Sequence, residues 1–293
     1  PREAAGASPD FVPPWRLRHH HVQSIYPSLP LRRPGVERRA SVLRQASREA
    51  IVDCGDGVRL LALVATQADA GRPPTDRLAV LLHGWEGSAN SLYLLSLGQK
   101  LFDAGYDVAR LNLRDHGESH HLNAGIFHSC RIAEVVGAVR ELQRQHPGKR
   151  LVLAGFSLGG NFCLRVGARA AAAGIDVSRI VAVCPVIDPE HTLARLETGW
   201  ALYREYFVWK WRRSLRTKRA AWPDVYHSLD DILELGNLTE MTHRLACGYG
   251  GFPSLPDYLR GYALVGQALE PLEALRDARV RIIAADDDPI IPA

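Results

Sequence analysis

The sequence predicts an α/β fold with a mostly parallel, doubly wound sheet. Three observations carry that expectation. Short apolar runs alternate with amphipathic helical stretches through the middle of the chain, and one more run appears near residue 280. The runs at 78–82 and 151–154 show no polar alternation, as strands covered on both faces require. His83-Gly84, Ser157 and Asp286-Asp287-Asp288 each follow the carboxyl end of such a run, where open α/β sheets bind ligands.

Residues 1–45 are rich in Pro and Arg with little periodicity, which predicts an extended arm lying on the domain. Two apolar stretches, 50–53 and 59–64, flank Gly55-Asp56-Gly57, a hairpin signal. Asn90 is placed to cap a helix carrying Leu94, Leu97 and Leu101 that stops near Gly105. A strand follows at 108–113. Ile132, Val135, Val136, Val139 and Leu142 then mark one helix face, ended before Pro147. The strand at 151–156 runs into a helix reaching Gly174, and further strands are expected at 179–184 and 280–284. Between Pro185 and Pro271 the alternation lapses, and four of the six tryptophans (Trp200, Trp209, Trp211, Trp222) gather there. This predicts a helical cap or lid insertion at 186–270 in a core made of 46–185 and 271–293. The last residues read as a strand end and a loop, so a further C-terminal strand and helix are expected beyond them.

Composition narrows the function classes. Hydrophobic content of 46% and charged content of 23% are ordinary for a globular protein. A net charge of +4 is too small for general polyanion binding, so no nucleic-acid partner is expected. Five scattered cysteines without a C-x-x-C pair read as reduced thiols of a cytoplasmic protein, and no cofactor or metal is expected. No apolar stretch approaches the ~18 residues of a bilayer span.

The chemistry centres on Gly155-Phe156-Ser157-Leu158-Gly159, a G-x-S-x-G turn between a strand and a small-residue helix start. In that context Ser157 is a candidate nucleophile, the alternative being a helix-capping serine. Glycines at 155 and 159 leave room where a side chain would collide with neighbouring chain. Acyl transfer further needs a base, a group that orients it, and donors for the oxyanion. The amides of Leu158 and of Trp85, in His83-Gly84-Trp85-Glu86-Gly87-Ser88, are the candidate donors. His83 and Gly84 are read as support for that loop. The acid should follow a later strand; Asp288 is chosen, with Asp287 next. All twelve histidines precede Asp288. His116, His120, His121 and His128 near the 108–113 strand are weak substitutes for the base, and the expected base is a histidine beyond Ala293. In the cap, Leu202, Tyr206 and Trp209 share a helical stripe with Tyr203, Phe207 and Trp211 beside it, ahead of Lys210, Arg212, Arg213, Arg216, Lys218 and Arg219. Two readings stand: aromatics packed on the core with solvated charges, or peripheral contact with an anionic membrane.

Five motifs in order resemble the YheT-like branch of the α/β-hydrolases, bacterial relatives of the ABHD lipases. They are Phe11-Val12-Pro13-Pro14 with His21-Val22-Gln23-Ser24-Ile25, the 83–88 loop, the turn at 155–160, Gly251-Phe252-Pro253 with Asp257-Tyr258-Leu259, and Asp287-Asp288-Pro289. The family's R-G-x-S-G-type turn is replaced here by Arg114-Asp115-His116-Gly117-Glu118-Ser119. The resemblance implies an α/β-hydrolase fold and a serine carboxylesterase or lipase-like activity on small or lipid-like esters. Ser157 would serve as nucleophile and Asp288 as acid, and these 293 residues alone are expected to be nearly inactive without the histidine. Acyl transfer to an alcohol on the same site, and a non-catalytic binding protein of the same fold, are the rival readings.

Overall fold

Residues 12–274 and 279–291 are described by the computed structural model; Phe11, quoted in one of the motifs, lies outside them. The expected extended arm is helical instead. Short 3-10 turns alternate with α1 (His20–Ile25), α2 (Arg33–Arg39) and α3 (Ser41–Ala46). Packing explains the difference. Val36, Ala40, Leu43 and Ala46 recur at near-helical spacing and are buried against Leu92, Leu95, Leu94 and Phe102 of the core. The prolines do not oppose this, because Pro27, Pro30 and Pro34 sit in first turns, where a missing N–H costs nothing.

The core alternates as its pattern requires: β1 (Ser47–Asp53), β2 (Arg59–Ala65), β3 (Arg77–Leu82), α4 (Leu92–Asp103), β4 (Asp107–Leu111), α5 (Ile132–Gln145), β5 (Arg150–Phe156), α6 (Leu158–Ala170), β6 (Val177–Val183) and, much later, β7 (Arg279–Ile283). Ser91, not Asn90, is the residue that precedes α4. The strands form one sheet in the order β1-β2-β4-β3-β5-β6-β7. From β4 to β7 all pairs are parallel, and β1 and β2 join antiparallel at one edge. β3 and β5 lie adjacent and central, with Leu78, Ala79, Val80, Leu81, Leu151 and Leu153 at most 1% exposed.

Between β6 and β7 lie α7 (Pro189–Thr198), α8 (Ala201–Ala221), α9 (Asp230–Glu234), α10 (Leu238–Gly248) and α11 (Leu255–Arg260). They share an apolar centre that includes Tyr203, Val208, Leu215, Tyr226, Leu229 and Met241. α8 divides its stripes: Tyr203 is buried and Phe207 and Trp211 half-buried, while Leu202, Tyr206 and Trp209 are exposed. Its basic cluster is mostly spent inside the protein. Lys218, 1% exposed, donates to Asp115 Oδ1 (2.7 Å), to the Asn123 carbonyl (2.6 Å) and to the Gly125 carbonyl (3.1 Å). Arg212 donates to the carbonyls of Glu234 and Leu235 at the end of α9, Arg219 pairs with Asp230, and Lys210 donates to the Glu86 carbonyl. Only Arg213 and Arg216 of the six are exposed. No helix among the described residues is long and apolar enough to cross a membrane.

One close approach fixes α5 on the β1–β2 hairpin. A Cβ built on Gly137 would lie 1.9 Å from the Cys54 carbonyl oxygen. Gly137→Ala therefore forces helix and hairpin apart. It is expected to lower the free energy of unfolding by about 1–3 kcal/mol, read as a shifted urea midpoint at unchanged m-value.

Candidate active site

Ser157 joins β5 to α6 with φ 52° and ψ −120°, a conformation rare for a residue with a side chain. Close packing leaves the chain no alternative. A Cβ on Gly155 would meet the Gly159 carbonyl oxygen at 2.3 Å, and one on Gly159 would meet the His83 carbonyl oxygen at 2.4 Å. The helix start is thus pressed against the ends of β3 and β5, and the serine is turned out at the apex. Although Ser157 occupies the N-cap position, its hydroxyl makes no capping hydrogen bond. Its amide donates to the Val183 carbonyl (2.8 Å).

Ser157 opens into a cavity of about 430 Å³. Trp85 and Leu158 also line it, and neither of their amides is taken by an acceptor among the described residues. The 83–88 loop is held in place from several sides. Gly84 donates its amide to the Tyr93 hydroxyl (3.0 Å), and Ala89 donates to Asn112 Oδ1 (2.8 Å). His83 is fully buried; its Nδ1 lies 2.7 Å from the Gly84 carbonyl oxygen, and its Nε2 accepts the Leu113 amide (3.1 Å). Both nitrogens are therefore used within the protein, and burial lowers the imidazole pKa to about 4.

Asp288 also lines the cavity, on the loop after β7. Its Oδ1 accepts the amides of Ile290 (2.8 Å) and Ile291 (3.0 Å). The Cys184 thiol lies beside this carboxylate; burial first, then the Asp288 charge, pushes the thiol up to about 11. No histidine is among the described residues of the cavity wall. His116 has Nδ1 2.7 Å from the Arg114 carbonyl oxygen, and its Nε2 accepts the Glu86 amide (3.1 Å). His120 Nε2 contacts Ser214 Oγ (2.9 Å), His128 packs edge-on against Phe252, and His121 is exposed.

Sequence patterns gave several wall residues no place in the site. Ser24, Ser28 and Arg33 bring the arm to the cavity, and His21 Nδ1 ties that arm to the Tyr203 hydroxyl (2.9 Å). Trp85 stacks on Phe207 (centroids 5.2 Å, planes 10° apart) and meets Trp211 edge-on. Asn161 Nδ2 donates to the carbonyls of Val186 and Tyr262, both at 2.8 Å, fixing α6 to the chain that leaves β6 and to the chain that follows α11. Glu86 was visible inside the His83-Gly84-Trp85-Glu86-Gly87-Ser88 loop, but only the fold shows it buried on the cavity wall.

Burial raises the Glu86 carboxyl to about 8, against a partial opposing effect of Lys210, with Asp115 adding to the rise. Between its ordinary value of 4.5 and about 8 the native state holds a proton that the unfolded chain has lost. Its contribution to stability therefore falls as pH rises through that window, and the whole penalty is present above it. Glu86→Gln removes the effect. The variant should gain stability relative to wild type from pH 5 to pH 8, by up to about 1.4 kcal/mol per pH unit, measured by urea unfolding at both pH values.

Comparison with known proteins agrees with this architecture. A family model described as alpha/beta hydrolase fold matches residues 79–293. "Putative esterase YheT" of Escherichia coli K12 is 26% identical over 288 residues, covering 97% of this chain and 79% of that protein. The similarity to YheT that five motifs implied thus extends along nearly the whole chain. The esterase Pf2001 of Pyrococcus furiosus superposes with a TM-score of 0.50 at 17% identity, over 84% of this chain and 85% of that one. Est1E of Butyrivibrio proteoclasticus, solved with ferulic acid bound, has a TM-score of 0.42 at 17% identity and covers 50% of this chain and 56% of its own. With the family model spanning most of its length, the chain belongs to the alpha/beta hydrolase fold family.

Proposed function

We propose that the protein is a serine carboxylesterase acting on small or lipid-like esters. The observation that carries this reading is Ser157 itself: an uncapped hydroxyl on a strained turn, opening into an apolar-walled cavity beside two unclaimed amides. In the proposed reaction Ser157 Oγ attacks the ester carbonyl and gives its proton to an imidazole. The carbonyl oxygen becomes an oxyanion held by the amides of Trp85 and Leu158, each worth about 3–4 kcal/mol in the transition state. Collapse expels the alcohol, which takes that proton, and water then releases the acid by the same steps.

Asp288 is the proposed orienting acid. Two amides hold Oδ1, which leaves Oδ2 for an imidazole N–H. The described histidines near the site are engaged elsewhere or face away from the cavity. The reading therefore assigns the base to a histidine outside residues 12–291, beyond the present sequence. Alcohol in place of water as acyl acceptor is a second reading of the same site. The Trp85–Phe207 stack and the Trp211 edge favour it, because an aromatic wall lowers the local activity of water.

Two measurements test the reading. The full-length protein should label with a fluorophosphonate at Ser157, and Ser157→Ala should abolish labelling and lower kcat on p-nitrophenyl butyrate by at least about 10⁴-fold. Absence of label from the folded full-length protein would favour a non-catalytic binding role. Asp288→Asn should lower kcat by about 10⁴-fold while KM changes little, whereas the same change at Asp287 should leave both nearly as they are. Product analysis with added butanol separates the acceptors.

A further inference from the structure

The ester reading gives no task to one carboxyl on the cavity wall. Glu86 directly follows the proposed oxyanion donor Trp85 and has φ +55°, a left-handed conformation that glycine or asparagine would fill with less strain. Its backbone is clamped from two sides: its amide donates to His116 Nε2, and its carbonyl accepts from Lys210 of α8. The side chain is 9% exposed and lines the cavity, and no described residue hydrogen-bonds its carboxyl. Among the described residues of the wall, Arg33, Glu86, Lys210 and Asp288 carry acidic or basic side chains. Arg33 pairs with Glu37, and Asp288 is turned to backbone amides. Lys210 reaches the loop from the other side, with its ammonium 5.5 Å from the Tyr206 ring centroid.

We propose that Glu86 and Lys210 form a polar subsite beside the oxyanion donors that takes a hydroxyl group carried by the substrate within a few bonds of its ester. The proposal rests on the ester reading for the word substrate, but not for the binding itself. Burial keeps the Glu86 carboxyl protonated up to about pH 8, so it both donates and accepts, while the Lys210 ammonium only donates. A hydroxyl, also donor and acceptor, satisfies both groups. An alkyl substituent leaves the buried Glu86 carboxyl unpaired, whereas half-buried Lys210 keeps its bond to the Glu86 carbonyl, and a site built for a hydroxyl discriminates strongly against its absence. A carboxylate is attracted to the Lys210 ammonium but only accepts, so it leaves the acceptor oxygen of the Glu86 carboxyl unpaired and gives up the hydration of a full charge, while a cation meets Lys210.

Trp85 and Trp211 on the cavity wall give a fluorescence readout that needs no turnover. The probes share an octyl ether chain: 2-octyloxyethanol, ethyl octyl ether and octyloxyacetate. At pH 7 the alcohol should bind at least about ten-fold more tightly than either of the others, the equivalent of one buried hydrogen-bonding group left unpaired. Glu86→Gln should keep the preference, since an amide also donates and accepts. Glu86→Leu should abolish it while binding ethyl octyl ether at least as well as wild type. Ser157→Ala should leave the ranking unchanged, so failure of the ester chemistry shows in fluorophosphonate labelling and failure of the subsite shows here. Equal affinities, tighter binding of octyloxyacetate, a preference that survives in Glu86→Leu, or no saturable binding would each overturn the proposal. If Glu86→Leu does not fold, the wild-type ranking and its persistence in Glu86→Gln carry the test.

Discussion

The geometry of the site depends on a shortage of space at the end of β5. Main chain of α6 presses on β5 at Gly155 and on the end of β3 at Gly159, within the radius of one methyl group each time. Nothing but hydrogen fits there, and Ser157 between them is forced to a positive φ. The cost of that turn, of order 1–3 kcal/mol, is borne by the sheet around it. Leu81, Leu82, Leu151 and Leu153 are completely buried in the two central strands, so the turn cannot relax without opening the core. The same crowding sets the loop that carries Trp85. Gly84 packs close to Ser157 Cβ and the Phe156 carbonyl, which brings the Trp85 amide to the same cavity as the serine.

The helices between β6 and β7 are held to this core by cations that look, in sequence, like a surface cluster. Lys218 reaches 103 residues back to Asp115 and satisfies two carbonyls on the way, with Trp222 and Tyr226 beneath its ammonium. Burial pushes Asp115 up and Lys218 down, and each offsets part of the other's shift. A pair so buried stabilises little in itself but is costly to break on one side. It therefore acts as a pin, fixing α8 over the loop after β4. Lys210 acts as a second pin on the 83–88 loop. Because these pins sit on the same helix as Phe207 and Trp211, the position of α8 and the cavity wall are set together.

Histidine illustrates the difference between sequence position and role. His83 and His116 stand in loops next to the candidate nucleophile, and both are hydrogen-bonded braces, with rings 4.9 Å apart. Burial depresses both, so at neutral pH they are uncharged and suited to mix donor and acceptor contacts with the backbone. Their ring nitrogens are occupied by the main chain of the 83–88 loop and of the turn after β4.

By itself the sequence determined the alternation of strands and helices, the glycines around Ser157 and the loop carrying Trp85. These depend on local period, apolar runs and residue size, which short windows contain. Residue order also pointed to the helical insertion, because the alternation lapses there. Tertiary structure decided the rest. The arm became helical because Val36, Ala40, Leu43 and Ala46 found a surface on α4 and the sheet, a partner that no local window shows. Lys210, Arg212 and Lys218 became ties to other elements because their acceptors are brought close only by folding, while Arg219 pairs with Asp230 at the surface. Glu86 became a buried acid on the cavity wall for the same reason: the desolvation that raises its pKa comes from elements distant in sequence, and a carboxylate's environment is a property of the packed molecule.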